Sequence, residues 1–349
     1  MSITIYDVAK RAKVSPSWVS WALRDHPRAQ EIRPETRERI RNAAKELGYL
    51  KNRSATTIRT GFNASTVALL ATGNVHPQGN FSLLTRLNAL GYELRFYSLG
   101  EPKKAFEEIL ANQLRYVICK VPIHEVRLQV AEFCRANGIR AVFLGAGAVG
   151  MGYPVFSVDT RREMCQLTRR FFSLAHTAIA LLCGVHRYCA TELRHLGYLD
   201  AFREHGLEPD PEMTFCEEYS TQSFLRFVER KRPTALACID GLLATRALND
   251  LIRHGVRVPE DISILAITGM DLLPSILTIG RFTEPEGISE QNALEFLFSG
   301  KCSAPLTEDG LQLVLESVYH PGETEAPPPQ RIRRYRELWK HDIFRKTSS

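Results

Sequence analysis

The chain reads as an all-α helix-turn-helix headpiece followed by an α/β core of two lobes, each a doubly wound parallel sheet. Three observations predict this. Two short apolar-periodic stretches separated by a tight turn open the sequence, short apolar runs alternate with helical stretches from Thr66 onward, and the charge changes sign between these regions. With 349 residues, 44% hydrophobic and 24% charged, the chain can bury more than one core, which excludes a natively disordered protein. No apolar run approaches the roughly 18 residues of a membrane span. Met1 is followed by Asp7, Lys10 and Arg11 rather than an apolar leader, so cytoplasmic residence is expected. Eight cysteines lie between Cys119 and Cys302 without a C-x-x-C pair, which predicts reduced, mostly buried thiols and neither a zinc site nor a disulfide framework.

In the headpiece, Thr4 can cap a helix whose apolar positions Ile5, Val8, Ala9 and Ala12 repeat at helical spacing, with Asp7 complementing the dipole. After the turn Lys13-Val14-Ser15, Ser15 caps a second helix, Pro16 takes its first position, and the helix runs to about Arg24. Helices joined so tightly cross steeply, burying Val8, Val14, Val19 and Leu23. A third helix from about Pro34, amphipathic through Ile40, Ala43, Ala44 and Leu47, stops at Gly48. Residues 1–62 hold 13 Lys/Arg against 6 Asp/Glu, residues 63–330 hold 25 against 31, and residues 331–349 hold 7 against 2. A compact basic segment ahead of an acidic body is the footprint of a phosphate-binding module. In such a unit the second helix enters the major groove. Its outward face is read as Ser17, Trp18, Trp21 and Arg24, with Ser15, Pro16 and Ser20 on the same helix and Thr4 and Tyr6 beside it. Two tryptophans three residues apart need a cover. Thymine methyls and sugar edges are one, the third helix the other.

Ile5-Tyr6-Asp7-Val8-Ala9-Lys10-Arg11-Ala12, then Val14-Ser15, Val19-Ser20, Glu35-Thr36-Arg37-Glu38-Arg39-Ile40 and Leu47-Gly48-Tyr49, resembles the headpiece of the lactose/galactose repressor (LacI/GalR) family of bacterial transcription regulators. Family members usually carry Arg or another polar residue where Trp21 stands and often Thr where Trp18 stands, so the resemblance implies an unusual base preference. The connection from Arg24 to Arg33 looks longer than in the family and adds Arg28 and Arg33 near the phosphate track. The stretch Asn52 to Thr60, with Asn52 and Thr56 as further contacts, resembles the hinge helix that orders on DNA. Ile58 takes the place of its apolar wedge, and the Pro common at Lys51 is missing; a plain linker is the alternative. The resulting division is a DNA-binding domain over 1–50, a hinge over 51–63, a core over 64–324 and a basic extension over 325–349.

In the body, strands are predicted at 67–71, 93–97, 116–119, 142–144, 178–183, 235–239 and 262–267, with helices between. Two lobes make a cleft, and ligands bind at the carboxyl ends of such strands. Gly145-Ala146-Gly147-Ala148-Val149-Gly150 is a literal G-x-G-x-x-G after a strand, but Met151-Gly152-Tyr153-Pro154 cannot open the helix a pyrophosphate needs. No nucleotide cofactor and no metal are therefore expected. Without a P-loop, nucleophile elbow or H-E-x-x-H, no enzyme is expected either. His76, His176 and His186 read as hydrogen-bonded structural residues.

The resemblance continues through Asp159, Leu174-Ala175-His176, Arg194-x-x-Gly197-Tyr198, Pro233-Thr234-Ala235-Leu236 and Val258-Pro259-Glu260-Asp261-Ile262-Ser263. These look like the family's effector-binding and dimerising core, which is similar to periplasmic sugar-binding proteins. It implies a homodimer on a pseudo-palindromic operator, acting as a repressor under a small-molecule effector. Arg194 matches the effector-contacting arginine, with an inter-lobe ion pair as the alternative. Asn74, Lys120, Asp159, Asp240 and Thr268 complete the candidate effector set. Lys120, Gly145, Ile239 and Thr268 replace the Asn and Asp of sugar-binding members, which disfavours a common sugar; Lys120 with Arg194 favours an anion. A cytoplasmic solute-binding protein and an effector-independent DNA-binding protein are the other readings. Beyond Pro327-Pro328-Pro329, the segment from Arg331 to Lys346 is expected to pack as a helix through Leu338, Trp339 and Ile343, with phosphate contact as the alternative.

Overall fold

The computed structural model describes residues 5–23, 27–47, 49, 63–72, 78–147, 152–184, 188–267, 276–285, 287–301, 303 and 317–330. The chain divides into two compact units, Met1–Asn63 and Ala64–Ser349.

The first unit contains helices α1 (Ile5–Ala12), α2 (Pro16–Ala22) and α3 (Pro34–Glu46), with a 3-10 turn over Pro27–Glu31. The turn between α1 and α2 closes because Lys13 adopts a left-handed φ of 51°, which lets the Val14 N–H reach the Ala9 carbonyl at 3.0 Å. Ser15 Oγ then accepts the Trp18 N–H at 3.2 Å, one of the donors a helix start leaves without an internal partner. Val8, Val19 and Ile40 are fully buried at the crossing, joined by Ile32 from the connecting segment. Val14, Leu23 and Leu47 line its edge. Arg39 Nε donates to the Ala12 carbonyl at 3.1 Å, tying α3 to the end of α1. The second helix stops at Ala22, short of the Arg24 expected.

The second unit contains two sheets. The first has the order β2-β1-β3-β4-β5, from β1 (Asn63–Ala71), β2 (Glu93–Ser98), β3 (Leu114–Cys119), β4 (Arg140–Leu144) and β5 (Val155–Phe156). Helices α4 (Gln78–Ala89), α5 (Pro102–Ala111) and α6 (His124–Ala136) connect them. Helix α7 (Thr160–Ser173) leads to the second sheet. There β6 (Ile179–Leu182), α8 (Cys189–Glu204), β7 (Thr214–Phe215), α9 (Thr221–Lys231), β8 (Ala235–Cys238), α10 (Gly241–Arg253), β9 (Ser263–Ile267) and β10 (Gly280–Thr283) follow. Helix α11 (Ile288–Ser299) and β11 (Val318–His320) end the described elements. The second sheet has the order β11-β10-β9-β8-β6-β7, with β11 antiparallel to β10 and β6, β7, β8, β9 and β10 parallel to their neighbours. Both sheets therefore reverse strand order beside their first strand, the doubly wound arrangement the alternating pattern predicts.

Strands covered on both faces read as continuous apolar runs; Val67 through Ala71 and Ile179 through Leu182 are each buried throughout. Helix α11, late in the sequence, returns to the first sheet, where Ala293, Leu294 and Leu297 pack on Val67, Leu69 and Val142. The segment after β11 is fastened to the second sheet. Thr324 bridges Gly280 and Ile264, Glu325 accepts from Arg170 Nε at 2.9 Å, and the Ala326 carbonyl lies 2.7 Å from His176 Nε2. The helix expected over 331–346 lies outside the described residues. No described helix is long and apolar enough to cross a membrane.

His176 is buried, with Nδ1 at 2.9 Å from Thr234 Oγ1, a structural role as expected. Burial holds its pKa below the ordinary 6.5. The unfolded chain therefore binds this proton first, so stability is full above pH 6.5 and is lost as pH falls through the lower folded value. His176→Gln is expected to flatten that limb of a stability-versus-pH curve measured by thermal melting.

Candidate functional site

On the headpiece, α2 turns Ser17 and Trp18 to solvent, Trp18 being 41% exposed. Trp21 behaves differently from the sequence expectation: its indole packs on the mini-core, with the Arg28 guanidinium 5.5 Å above the ring. The two tryptophans thus divide their work, one presented outward and one closing the bundle. Tyr6 is 70% exposed, and Arg28 and Arg33 are exposed on the connection leading into α3. Pro16 and Ser20 are half-buried, and Ser15 is engaged as the cap. Thr4, Arg24, Asn52, Thr56 and Ile58 lie outside the described residues. The headpiece thus exposes an indole, a phenol, a hydroxyl and guanidinium groups, a combination suited to base edges flanked by phosphates.

In the body, Lys120 follows β3 and Asp240 follows β8, both at carboxyl ends beside the point where strand order reverses. Neither is simply offered to a ligand. Lys120 Nζ lies 3.5 Å from Glu290 Oε1, and Asp240 caps α10 by accepting the Leu243 N–H at 2.7 Å. Asp159 likewise caps α7, accepting the Arg162 N–H at 3.0 Å. Arg194 pairs with Glu163 at 3.7 Å; the pair joins α8 to α7 rather than one lobe to the other. Glu163 Oε1 also accepts from Ser317 Oγ at 2.7 Å, and Glu284 accepts the Ser289 N–H at 2.8 Å. Burial raises the pKa values of Glu163 and Glu284. Lys120 and Arg194 are thus each paired with a carboxyl group, rather than standing as the two unpaired cations behind the expected anion preference. Asn74 and Thr268 lie outside the described residues.

The glycine run has a structural explanation. Arg127, fully buried on α6, donates to the carbonyls of Val121, Leu144, Gly145 and Gly147 at 3.0 to 3.2 Å. Its loop is thus held by its carbonyl oxygens, whereas a phosphate cradle presents N–H groups. Sequence reading missed Arg127, Glu163, Glu284 and Glu290. A signal for Arg127 was present, since it shares one buried helix face with Val130, Ala131 and Cys134.

The family model for bacterial regulatory proteins of the lacI family matches residues 4–52, spanning α1 to α3, and that for a periplasmic binding protein-like domain matches residues 168–280. The chain carries a lacI-family helix-turn-helix headpiece ahead of a periplasmic binding protein-like domain, and its relatives are LacI/GalR regulators. It is 28% identical over 293 residues to the HTH-type transcriptional regulator AglR of Rhizobium meliloti (strain 1021), covering 79% of this chain and 80% of that protein. It is 24% identical over 323 residues to the HTH-type transcriptional regulator GalR of Salmonella typhimurium (strain LT2), covering 86% and 91%. The solved structure of the lac repressor dimer bound to operator and the anti-inducer ONPF shares the fold, with a TM-score of 0.70 at 21% identity over 93% of this chain and all of that one. These relatives are transcriptional regulators, and this chain, with its lacI-family headpiece, is likewise a DNA-binding regulator.

Proposed function

We propose that this LacI/GalR regulator is a cytoplasmic, non-enzymatic repressor that binds a pseudo-palindromic operator as a homodimer. Trp18 and Ser17 meet base edges in the major groove, while Tyr6, Arg28 and Arg33 hold the phosphate track. The observation that carries this reading is the solvent-facing indole of Trp18 on the second helix of a helix-turn-helix whose connecting segment exposes Arg28 and Arg33. A headpiece this small buries too little surface for high specificity, so two copies joined through their bodies are needed. Ile58, with Asn52 and Thr56 beside it, acts as the minor-groove wedge of a hinge segment over 51–63. A ligand at the strand ends biases the arrangement of the lobes, and operator affinity follows the shifted population. That ligand meets a near-neutral set of paired groups, Lys120 with Glu290 and Arg194 with Glu163, which suits a polar uncharged molecule better than an anion. The lac repressor has been solved with ONPF and the regulator CelR with cellobiose, in keeping with this class.

Selection of sites from random duplexes tests the proposal: two half-sites in inverted orientation are expected, and enrichment of a single half-site or of none would contradict it. Against the selected duplex, Trp18→Ala is expected to flatten a preference of about 1–3 kcal/mol at one position of each half-site. Arg33→Ala is expected to weaken all sequences alike and to lower the salt slope by about 1. Equal behaviour of the two variants in competition binding would remove the division of roles.

A further inference from the structure

We infer that Cys183 and Cys216 form a redox-active dithiol in the second sheet, which a hydroperoxide converts reversibly to a cross-strand disulfide. The pair is placed by strand register. Strands β6 and β7 are parallel with Leu181 opposite Thr214 and Leu182 opposite Phe215, so the next step brings Cys183 opposite Cys216. Adjacent strands run about 4.8 Å apart, inside the roughly 4.4–6.8 Å Cα separation that a disulfide spans. The side chains have already converged, with the two Sγ atoms 3.0 Å apart. Cys183 is also held from its backbone, its N–H donating to the Phe215 carbonyl at 3.1 Å, and its thiol donates to the same carbonyl at 3.4 Å.

The two thiols differ in access, and this sets their roles. Cys216 is exposed and Cys183 is buried. Strand β7 is the edge of the sheet, so an oxidant reaches Cys216 from solvent. The Cys216 sulfur, as thiolate, attacks the terminal oxygen of the hydroperoxide. The O–O bond breaks, the alcohol leaves with a proton, and Cys216 becomes a sulfenic acid. Cys183 sulfur then attacks the Cys216 sulfur, the S–O bond breaks, and the departing oxygen leaves as water with the Cys183 proton. Two thiols have lost two hydrogens, and the hydroperoxide has been reduced to alcohol and water. In a reducing compartment such a bond is transient and senses oxidant rather than building the fold. It would tie the carboxyl end of β6, from which the chain proceeds to α8 and Arg194, to the edge strand. Nothing in DNA recognition uses either thiol.

The test uses the full-length chain, reduced, freed of reductant and treated with hydrogen peroxide, followed by alkylation under denaturing conditions and peptide mapping. The expected result is loss of alkylation at both Cys183 and Cys216, one intrachain link between them, and full recovery with dithiothreitol. In Cys183→Ser, Cys216 is expected to stop at a sulfenic acid that dimedone traps; in Cys216→Ser, Cys183 is expected to remain a thiol. The mapping of the native chain decides the matter even where a variant fails to fold. Cys183 staying fully alkylatable while Cys216 advances to sulfinic acid, links to a second chain or does not react would overturn the assignment.

Discussion

Gly197→Ala is expected to destabilise the core by about 3 kcal/mol or more, the upper part of the range for overpacked interiors. A Cβ at this position would overlap the Arg161 carbonyl oxygen and lie 2.9 Å from the Arg161 carbonyl carbon and 3.1 Å from the Cys165 nitrogen. All three are backbone atoms of α7, so no side-chain rotation relieves the overlap and α7 and α8 must separate. That separation would disturb Met164, Leu167 and Phe171 on one helix and Tyr198 and Phe202 on the other, all members of the largest buried cluster. Urea unfolding followed by circular dichroism checks this. The neighbouring Tyr198→Phe supplies a scale, because it removes only a 2.8 Å hydrogen bond to the Ile179 carbonyl and is expected to cost about 1 kcal/mol. Similar midpoints for the two variants would mean that α7 and α8 are not in backbone contact.

Arg127→Leu is expected to cost about 3–5 kcal/mol, because it leaves carbonyls without donors rather than merely removing one bond. The guanidinium serves four acceptors in a fixed planar fork, and it stacks over Phe143 at 5.4 Å. A lysine ammonium cannot span the same four oxygens, so Arg127→Lys is expected to recover only part of the loss. Thermal melting measures the cost, and limited proteolysis of the residues following Leu144 reports whether the loop has come loose. Wild-type stability in Arg127→Leu would show that water replaces the guanidinium without cost.

These two positions illustrate what local pattern carries and what it leaves out. The buried strands could be read because sheets covered on both faces need unbroken apolar runs, as in Val67 to Ala71, and the headpiece because Val8, Ala12 and Val19 keep the spacing of a crossed helix pair. Arg127 could have been found from its place among Val130, Ala131 and Cys134. The partnership of Lys120 with Glu290 could not, because the spacing in Ala293, Leu294 and Leu297 encodes a helix without saying which sheet receives it. Nor could the fate of the two indoles. Residues three apart on a helix are separated by about 60°, enough for Trp18 to face solvent while Trp21 turns onto the bundle beneath Arg28. Gly197 was visible as part of the family-like Arg194-x-x-Gly197-Tyr198, but the reason for a glycine there is the approach of a helix more than thirty residues earlier.

The central claim is that the headpiece binds duplex DNA through a cationic, indole-bearing face. Equilibrium affinity of the full-length chain for its selected duplex, measured by fluorescence anisotropy across a series of salt concentrations, tests it most directly. A steep inverse dependence is predicted, with a log–log slope reduced by about 1 for each of Arg28→Ala and Arg33→Ala and specificity relaxed by Trp18→Ala. Affinity that ignores salt, or slopes unchanged by both arginine substitutions, would contradict it.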